Sequence, residues 1–274
     1  MRWSIVPVVP VVLALVLGLG CARHPPASSA PAAGASAPDG SSLRAATLEY
    51  SGTHRGDHPD WRYQQTVTIA AAERAGRPVW RRTSTFGADA PMSTVLEIDR
   101  ATMAAVHSDL TWNGSTVRLD FRPGRTSGLV EHEGARRQVA YRHTEPVVLS
   151  DALDLYVAAL PLAPGYESRL SLLDFWLLDD HPRYQTRPFT VRVVEETTVT
   201  VPAGSLPVFT VAIDPADGDD RLRSTYHVLR TRPHYAVRME YVVNPATIGE
   251  EKRSVGVDEL VRFTIQPSGA AARP

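Results

Sequence analysis

Residues 110–121 read LTWNGSTVRLDF. On the C-terminal side Val117, Leu119 and Phe121 fall on one face, with Arg118 and Asp120 on the other. Asn113-Gly114 stands between two such alternating runs. A two-residue reversal with the right-handed strand twist needs positive φ at both central positions, and Asn-Gly supplies it at least cost. The stretch predicts a tight antiparallel hairpin, and its period of two extends outward along the chain. Tyr63, Val67, Ile69 and Ala71 share a phase, as do Tyr235, Val237, Met239, Tyr241 and Val243 against Arg238 and Glu240. Val255, Val257, Val261, Phe263 and Ile265 repeat the pattern near the C-terminus. Ala75-Gly76, Glu133-Gly134, Pro202-Ala203-Gly204 and Asp217-Gly218 mark further reversals. One apolar and one wet face is the signature of antiparallel sheet. The spacing predicts roughly ten to twelve strands in a meander.

One segment has a different period. In SDALDLYVAAL, residues 150–160, Leu153, Tyr156, Val157 and Leu160 lie at helical spacing, Ser150 is placed to cap, and Pro161 stops the run. The expectation is one amphipathic helix, Asp151 to Leu160, on the apolar face of the sheet. The segment LLDFWLLDDHPRY, residues 172–184, is very apolar yet ends in Asp-Asp and Pro; it reads as a strand end or a flap. The fold class is therefore mainly all-β: residues 43–267 form one large, strongly curved antiparallel meander sheet or open barrel with one helix packed on it. About 225 residues is an ordinary size for a single β domain.

The N-terminus has a separate logic. Met1 and Arg2 precede an apolar run, Ile5 to Leu19, which is shorter than the about 20 residues of a spanning helix and is broken by Pro7 and Pro10. It reads as a secretory signal. Gly18-Leu19-Gly20-Cys21 resembles a bacterial lipoprotein signal, which implies that residues 1–20 are removed and Cys21 is lipidated. Cys21 is the sole cysteine of the 274 residues, so no internal disulfide competes for it. Ala22 stands where an aspartate would imply retention at the inner membrane, so the resemblance favours the outer membrane. Of the 21 residues from Ala22 to Ser42, 18 are Ala, Ser, Pro or Gly. Residues 21–42 thus read as a lipidated cysteine with a disordered tether, reaching roughly 25 Å when flexible. Residues 268–274 read as a disordered tail.

Composition excludes some classes. The formal charge is −1, with positive and negative residues interleaved and no basic stripe for nucleic acid. Lys252 is the only lysine, which leaves Schiff-base or Ser-Lys chemistry one candidate. There is no Gly-x-Ser-x-Gly elbow, no phosphate-binding loop and no dinucleotide fingerprint, so no cofactor is indicated. His54 and His58 lie four apart with Asp57 between them, but Gly56 and Pro59 make the segment a loop rather than a helical metal pair. Glu131-His132-Glu133 reads as a polar hairpin tip, and His227 and His234 as surface residues. Glu195 falls in the phase of Val191 and Val193, and Glu259 in that of Val257 and Val261. Burying a lone carboxylate is costly. Each glutamate must find an arginine, sit at a bulge that turns it outward, or make a polar contact inside a binding cavity.

DALDLYVAALPLAPGY, VRVVEETTVTVPAGSLPVFTVAI and STYHVLRTRPHYAVRMEY follow one another in this order. Together they resemble an exported bacterial domain of unknown function, the TapB-like group, through Leu160, Pro161, Leu162, Gly165, Pro202, Ala203 and Gly204. The resemblance covers residues 151–241 and implies a long curved sheet around a helix, similar to the periplasmic carriers that sort outer-membrane lipoproteins. It carries over no catalytic residue. The expectation is a membrane-anchored, non-enzymatic envelope protein that binds an apolar ligand, a lipid or the acyl chains of another lipoprotein. Tyr156 and the Phe175, Trp176 and Leu177 run would face that ligand, with Glu195 and Glu259 as polar contacts. The alternatives are an envelope scaffold that binds another protein, and a hydrolase or metalloenzyme.

Overall fold

The computed structural model describes residues 37–55, 61–87, 92–112, 114–143, 147–178, 181–218, 223–243 and 254–267. The lipoprotein signal, Cys21, most of the tether, His58 and Lys252 lie outside them.

Fifteen strands and one α-helix are present among the described residues, against the ten to twelve strands read from alternation. The chain opens with β1 (Ala46–Arg55), β2 (Trp61–Arg74), β3 (Arg77–Phe86), β4 (Met92–Asp99), β5 (Ala105–Trp112), β6 (Ser115–Arg122), β7 (Arg125–His132) and β8 (Ala135–Arg142). A two-residue strand β9 (Val148–Leu149) leads into α1 (Leu153–Ala159). Then come β10 (Glu167–Leu178), β11 (His181–Val201), β12 (Gly204–Pro215), β13 (Ser224–Leu229), β14 (Ala236–Val243) and β15 (Ser254–Ile265). Polar strands such as β8, sequence ARRQVAYR, carry too little apolar alternation to be counted from sequence.

All fifteen strands form one sheet, in the order β8-β7-β6-β5-β4-β3-β2-β1-β15-β14-β13-β12-β11-β10-β9. Two meanders, β1–β8 and β10–β15, are joined where the first strand pairs with the last, and β9 adds a short parallel pairing to β10. The turns obey local sterics. Ala75 and Gly76 have φ of 49° and 77°, and Glu133 and Gly134 have 49° and 81°, so both hairpins use two positive-φ residues. The 110–121 hairpin joins β5 and β6 with Trp112 opposite Ser115, and Gly114 has φ 75°.

Among the described residues the two ends of the sheet share no backbone ladder. The β8 end touches the second meander through side chains, two strands in from the β9 end: Tyr141 of β8 packs on Tyr184 of β11 with ring centroids 4.3 Å apart. The Tyr141 hydroxyl lies 3.0 Å from the Thr186 hydroxyl, and the Tyr184 hydroxyl donates to the Ala140 carbonyl at 3.0 Å. The result is a curved, open, barrel-like sheet with one seam.

The main core fills the concave side and includes Leu48, Tyr50, Val67, Ile69, Trp80 and Leu96 from the first meander. Val191, Val211, Val228 and Val237 join it from the second. The helix is shorter than the sequence suggests. Residues 150–152 form a 3-10 turn containing Ser150, which therefore does not cap α1. Leu160 is already extended, because the residue before a proline is pushed out of the α region. Leu153, Leu155, Val157, Ala158 and Ala159 are buried, so the helix is an interior plug rather than a surface stripe. Asp39 N–H donates to the Ala159 carbonyl at 2.9 Å, and the Trp80 indole donates to the Gly40 carbonyl at 2.8 Å. The folded domain thus includes Asp39 to Ser42, which composition alone assigns to the tether.

His234 is a correction as well. It is buried beside the helix, with its backbone N–H on the Ala158 carbonyl and Nδ1 2.8 Å from the Leu229 carbonyl. The segment 172–178 is strand rather than loop: Phe175 stands opposite Tyr184 and Leu178 opposite His181 in a continuous antiparallel ladder.

Candidate functional site

The core also holds a buried polar cluster. It is built where the two meanders join, from β1, β2, β14 and β15. Gly52 of β1 pairs with Tyr63 on one side and Asp258 on the other, and Gly256 of β15 pairs with Tyr241 and His54. A side chain on Gly52 would run into the Tyr63 ring and the Asp258 carboxylate; one on Gly256 would meet the Tyr241 ring at 2.5 Å. The two glycines are empty so that two tyrosine rings can lie across the backbone. Their hydroxyls meet 2.8 Å apart. The Tyr63 hydroxyl donates to Asp258 Oδ1, and the Tyr241 hydroxyl is 3.2 Å from His54 Nε2.

Asp258 is only 4% exposed. Burial raises its carboxyl to about 6, although hydrogen bonds from Tyr63 and Tyr241 and the charge of Arg82 act the other way. Burial also lowers the His54 imidazole and pushes both phenols well above their usual range. Each phenol has one proton to give. With Asp258 ionised, both phenols point to the carboxylate. With Asp258 protonated, the donors can run in sequence from Asp258 through Tyr63 and Tyr241 to His54. The arrangement can therefore hold one proton and move it between a carboxyl and an imidazole.

A second polar pair anchors the plug. Arg82 of β3 donates to Asp154 of α1 from Nε at 3.0 Å and from Nη2 at 2.9 Å, and both side chains are buried. Burial alone would lower the guanidinium, yet the Asp154 charge and hydrogen bonds raise it. Asp151, near this pair, is exposed.

The apolar part of the candidate site lies at the seam. Val117, Leu119, Val130 and Val139 form a small cluster separate from the main core. Phe121 and Tyr184 touch both clusters and stay half-exposed, as does Tyr141. These aromatic rings lie between the two clusters, beside the β8 end of the sheet.

The glutamates predicted from phase are not on this face. A bulge skips Val194, so Val193 stands opposite Val211 while Glu195 stands opposite Thr210 and is exposed. In β15 the register shifts between Leu260 and Arg262. Phe263 and Ile265 keep to the core, whereas Gly256, Asp258 and Leu260 are the buried residues further back. Val255 and Val257 are displaced from the face expected of them, and Glu259 bonds Arg238 at 3.0 Å. Glu195, Thr210, His227, Arg238 and Glu259 form one cross-strand row on the outer face. The interior carboxylate is therefore Asp258. Sequence phase missed it because one inserted residue exchanges the two faces of a strand. The signal that could have found it is Gly52 and Gly256, each isolated within a strand.

Tyr156 sits on α1, half-buried against the core, with its phenol raised to about 12 by burial. Phe175, Trp176 and Leu177 are strand residues of β10; their side chains lie outside the described residues. His54 is in β1 rather than a loop, and His132 Nδ1 is 2.7 Å from the Ser115 hydroxyl beside the expected β7–β8 tip. Among the described residues no three His, Cys, Asp or Glu side chains converge to hold a metal ion.

Residues 62–248 match a family described as a protein of unknown function, DUF3108. The chain belongs to DUF3108. The match spans β2 to β14, so it includes Tyr63, Tyr241, the plug and the seam, while His54 and Asp258 lie outside it. No curated protein matches the chain. Among solved structures, it is similar to a β-barrel-like protein of the DUF1849 domain from Brucella abortus. The TM-score is 0.50 at 13% identity, covering 82% of this chain and 99% of that one. That likeness agrees with the open barrel-like sheet. A protein described as exported, with a YmcC-like fold, from Bacteroides fragilis gives a TM-score of 0.30 at 12% identity. It covers 84% of this chain and 99% of that one. A DUF1329 family protein from Desulfovibrio piger gives 0.29 at 9% identity, over 83% and 88%.

Proposed function

We propose that this DUF3108 protein is a non-enzymatic envelope lipoprotein, anchored through lipid on Cys21, whose curved sheet takes up an apolar ligand at its seam. The ligand class is a lipid or an acyl chain. The observation that carries the reading is the pair of half-exposed aromatics, Phe121 and Tyr184, spanning two separate apolar clusters where β8 and β11 touch without a backbone ladder. The hairpin of β10 and β11 that forms one wall also carries Phe175 and Leu177 at ladder positions on the Tyr184 face, with Trp176 on the other, and Tyr156 stands on the plug; Phe175, Leu177 and Tyr156 are the proposed contacts. Strand-to-strand bonding along the seam would make opening costly, whereas two tyrosine hydrogen bonds and a ring contact cost only a few kcal/mol to part.

The test is mass spectrometry of organic extracts from gently purified protein, together with uptake of a fluorescent fatty acid. Bound lipid, and uptake weakened by Tyr184→Ala, are the expected results. A clean extract and no uptake would reduce the seam to a packing contact. The anchoring part is tested by labelling cells with a radioactive fatty acid: wild type takes the label and fractionates with membranes, and Cys21→Ser does neither. A scaffold role is the second reading. It is favoured by β8, a terminal strand that has no ladder partner on its outer edge among the described residues, as strand addition by a partner would need.

A further inference from the structure

Charges are interleaved along the sequence, but the register of the sheet gathers three arginines into one row. Arg122, the last residue of β6, stands opposite Arg125, the first of β7, and Arg125 stands opposite Arg142, the last of β8. All three are exposed, and among the described residues none has a hydrogen bond or an ion-pair partner. Like charges set directly opposite on neighbouring strands destabilise a sheet. The row therefore lowers the stability of this part of the sheet, with no acid beside it to offset the repulsion.

The row lies at the end of the sheet where the chain enters. Each strand from β1 to β8 is antiparallel to the next, so the starts of β1, β3 and β7 and the ends of β6 and β8 share one end. The entering residues are fixed there: the Trp80 indole, near the start of β3, holds the Gly40 carbonyl, and Asp39 N–H bonds the Ala159 carbonyl. The end of β13 comes to the same end through β15 and β14. Arg230 and Arg232 follow it, and both are exposed, as is Arg77 at the start of β3. Arg77 and Arg230 have acid partners in Asp99 and Glu196. The exposed acids beside the entry are Asp39, which is tied to Ser41, and Glu73. Residues 22–36, which composition reads as tether, precede this end; even fully extended such a segment spans only about 50 Å. A domain anchored through Cys21 is thus kept close to lipid, and its tether departs from an arginine-rich end.

We propose that this end is a docking face for the anionic phospholipid surface to which the tether holds the domain, with the Arg122, Arg125 and Arg142 row as its main contact. The proposal rests on the Cys21 anchor of the preceding reading, and not on a ligand at the seam. Guanidinium forks match lipid phosphates, and the attraction acts within about a Debye length of the surface. Neutralisation by lipid also relieves the repulsion within the row.

The test is co-sedimentation of the mature chain carrying Cys21→Ser, so that no acyl group contributes, with vesicles of phosphatidylcholine alone or with about one third phosphatidylglycerol. Wild type is expected to partition onto the anionic vesicles about tenfold or more strongly than onto the neutral ones, and to lose that preference in 0.5 M salt, the scale set by a few arginines at a charged surface. Arg122→Gln with Arg142→Gln should weaken anionic binding about tenfold. Arg62→Gln with Arg136→Gln, an equal loss of charge at the opposite end, should leave it within about twofold. Equal partition of wild type onto both vesicles, or none, overturns the proposal, and that comparison decides the matter even if a variant does not fold. Equal weakening by both pairs would reduce the effect to net charge and overturn the docking face. Release of the protein from vesicles by polyglutamate at matched charge would assign the row to an acidic protein partner instead. The anchor fails separately, if cells leave Cys21 without fatty-acid label.

Discussion

Asp258→Asn isolates the energetics of the buried site. The folded-state pKa of Asp258 is raised to about 6 from a reference of 3.8. A folded state that holds its proton more tightly than the unfolded chain is stabilised by that proton wherever both states carry it. The Asp258 contribution is thus fully present below about pH 4, is lost as the pH rises toward 6, and stays lost above it. The shift of about two units corresponds to roughly 3 kcal/mol at about 1.4 kcal/mol per unit. Glu97, Asp99 and Asp214 run in the opposite sense, since their carboxyls are lowered despite the opposing effect of burial. For Asp214, burial raises the carboxyl, and hydrogen bonds from Arg192 and Arg223 more than reverse it. The difference between wild type and variant therefore has to be followed, not the wild-type curve alone. Urea unfolding, read by tryptophan fluorescence at half-unit steps from pH 4 to 8, gives that difference at constant m. An asparagine accepts from Tyr63 as the acid does and carries no charge. The variant is expected to match wild type near pH 4 and to exceed it by up to about 3 kcal/mol at pH 7. Parallel curves, with a difference that does not change between pH 4 and 7, would refute the assignment of a buried, proton-holding carboxyl.

Gly52→Ala and Gly256→Ala should each lower stability by about 1–3 kcal/mol, because the new methyl displaces a tyrosine ring held against the strand. Thermal unfolding of Gly256→Ala combined with Tyr241→Leu should recover part of the loss, and strict additivity would count against ring contact as the cause. Arg82→Met leaves Asp154 buried without its partner and should cost about 3–5 kcal/mol. Adding Asp154→Leu should restore most of that in denaturant titration. Tyr141→Phe removes the hydroxyl contact with Thr186 across the seam. Amide exchange in β8 should quicken several-fold while that in β1 stays unchanged; equal change in both strands would mean that the seam does not open locally.

Much of the fold was legible because its causes are local. The Ala75-Gly76 and Glu133-Gly134 reversals follow from the φ those residues tolerate, and the alternation of Val117, Leu119 and Phe121 from the pleat of a single strand. The antiparallel sheet, its meander and the position of the helix were determined by these short-range rules. The site was not, because its parts are far apart in the chain: Tyr63 and Asp258 are separated by 195 residues, and Arg82 and Asp154 by 72. Only the pairing of β1 with β15 joins the meanders by a backbone ladder, and only the bulges decide which carboxylate turns inward. Glu259 and Asp258 are neighbours in sequence, and one skipped residue in the ladder put Asp258 in the interior and Glu259 on Arg238. Alternation fixes that two faces differ, but the register set by distant strands decides which face meets the core, since every side chain changes sides when the ladder slips by one.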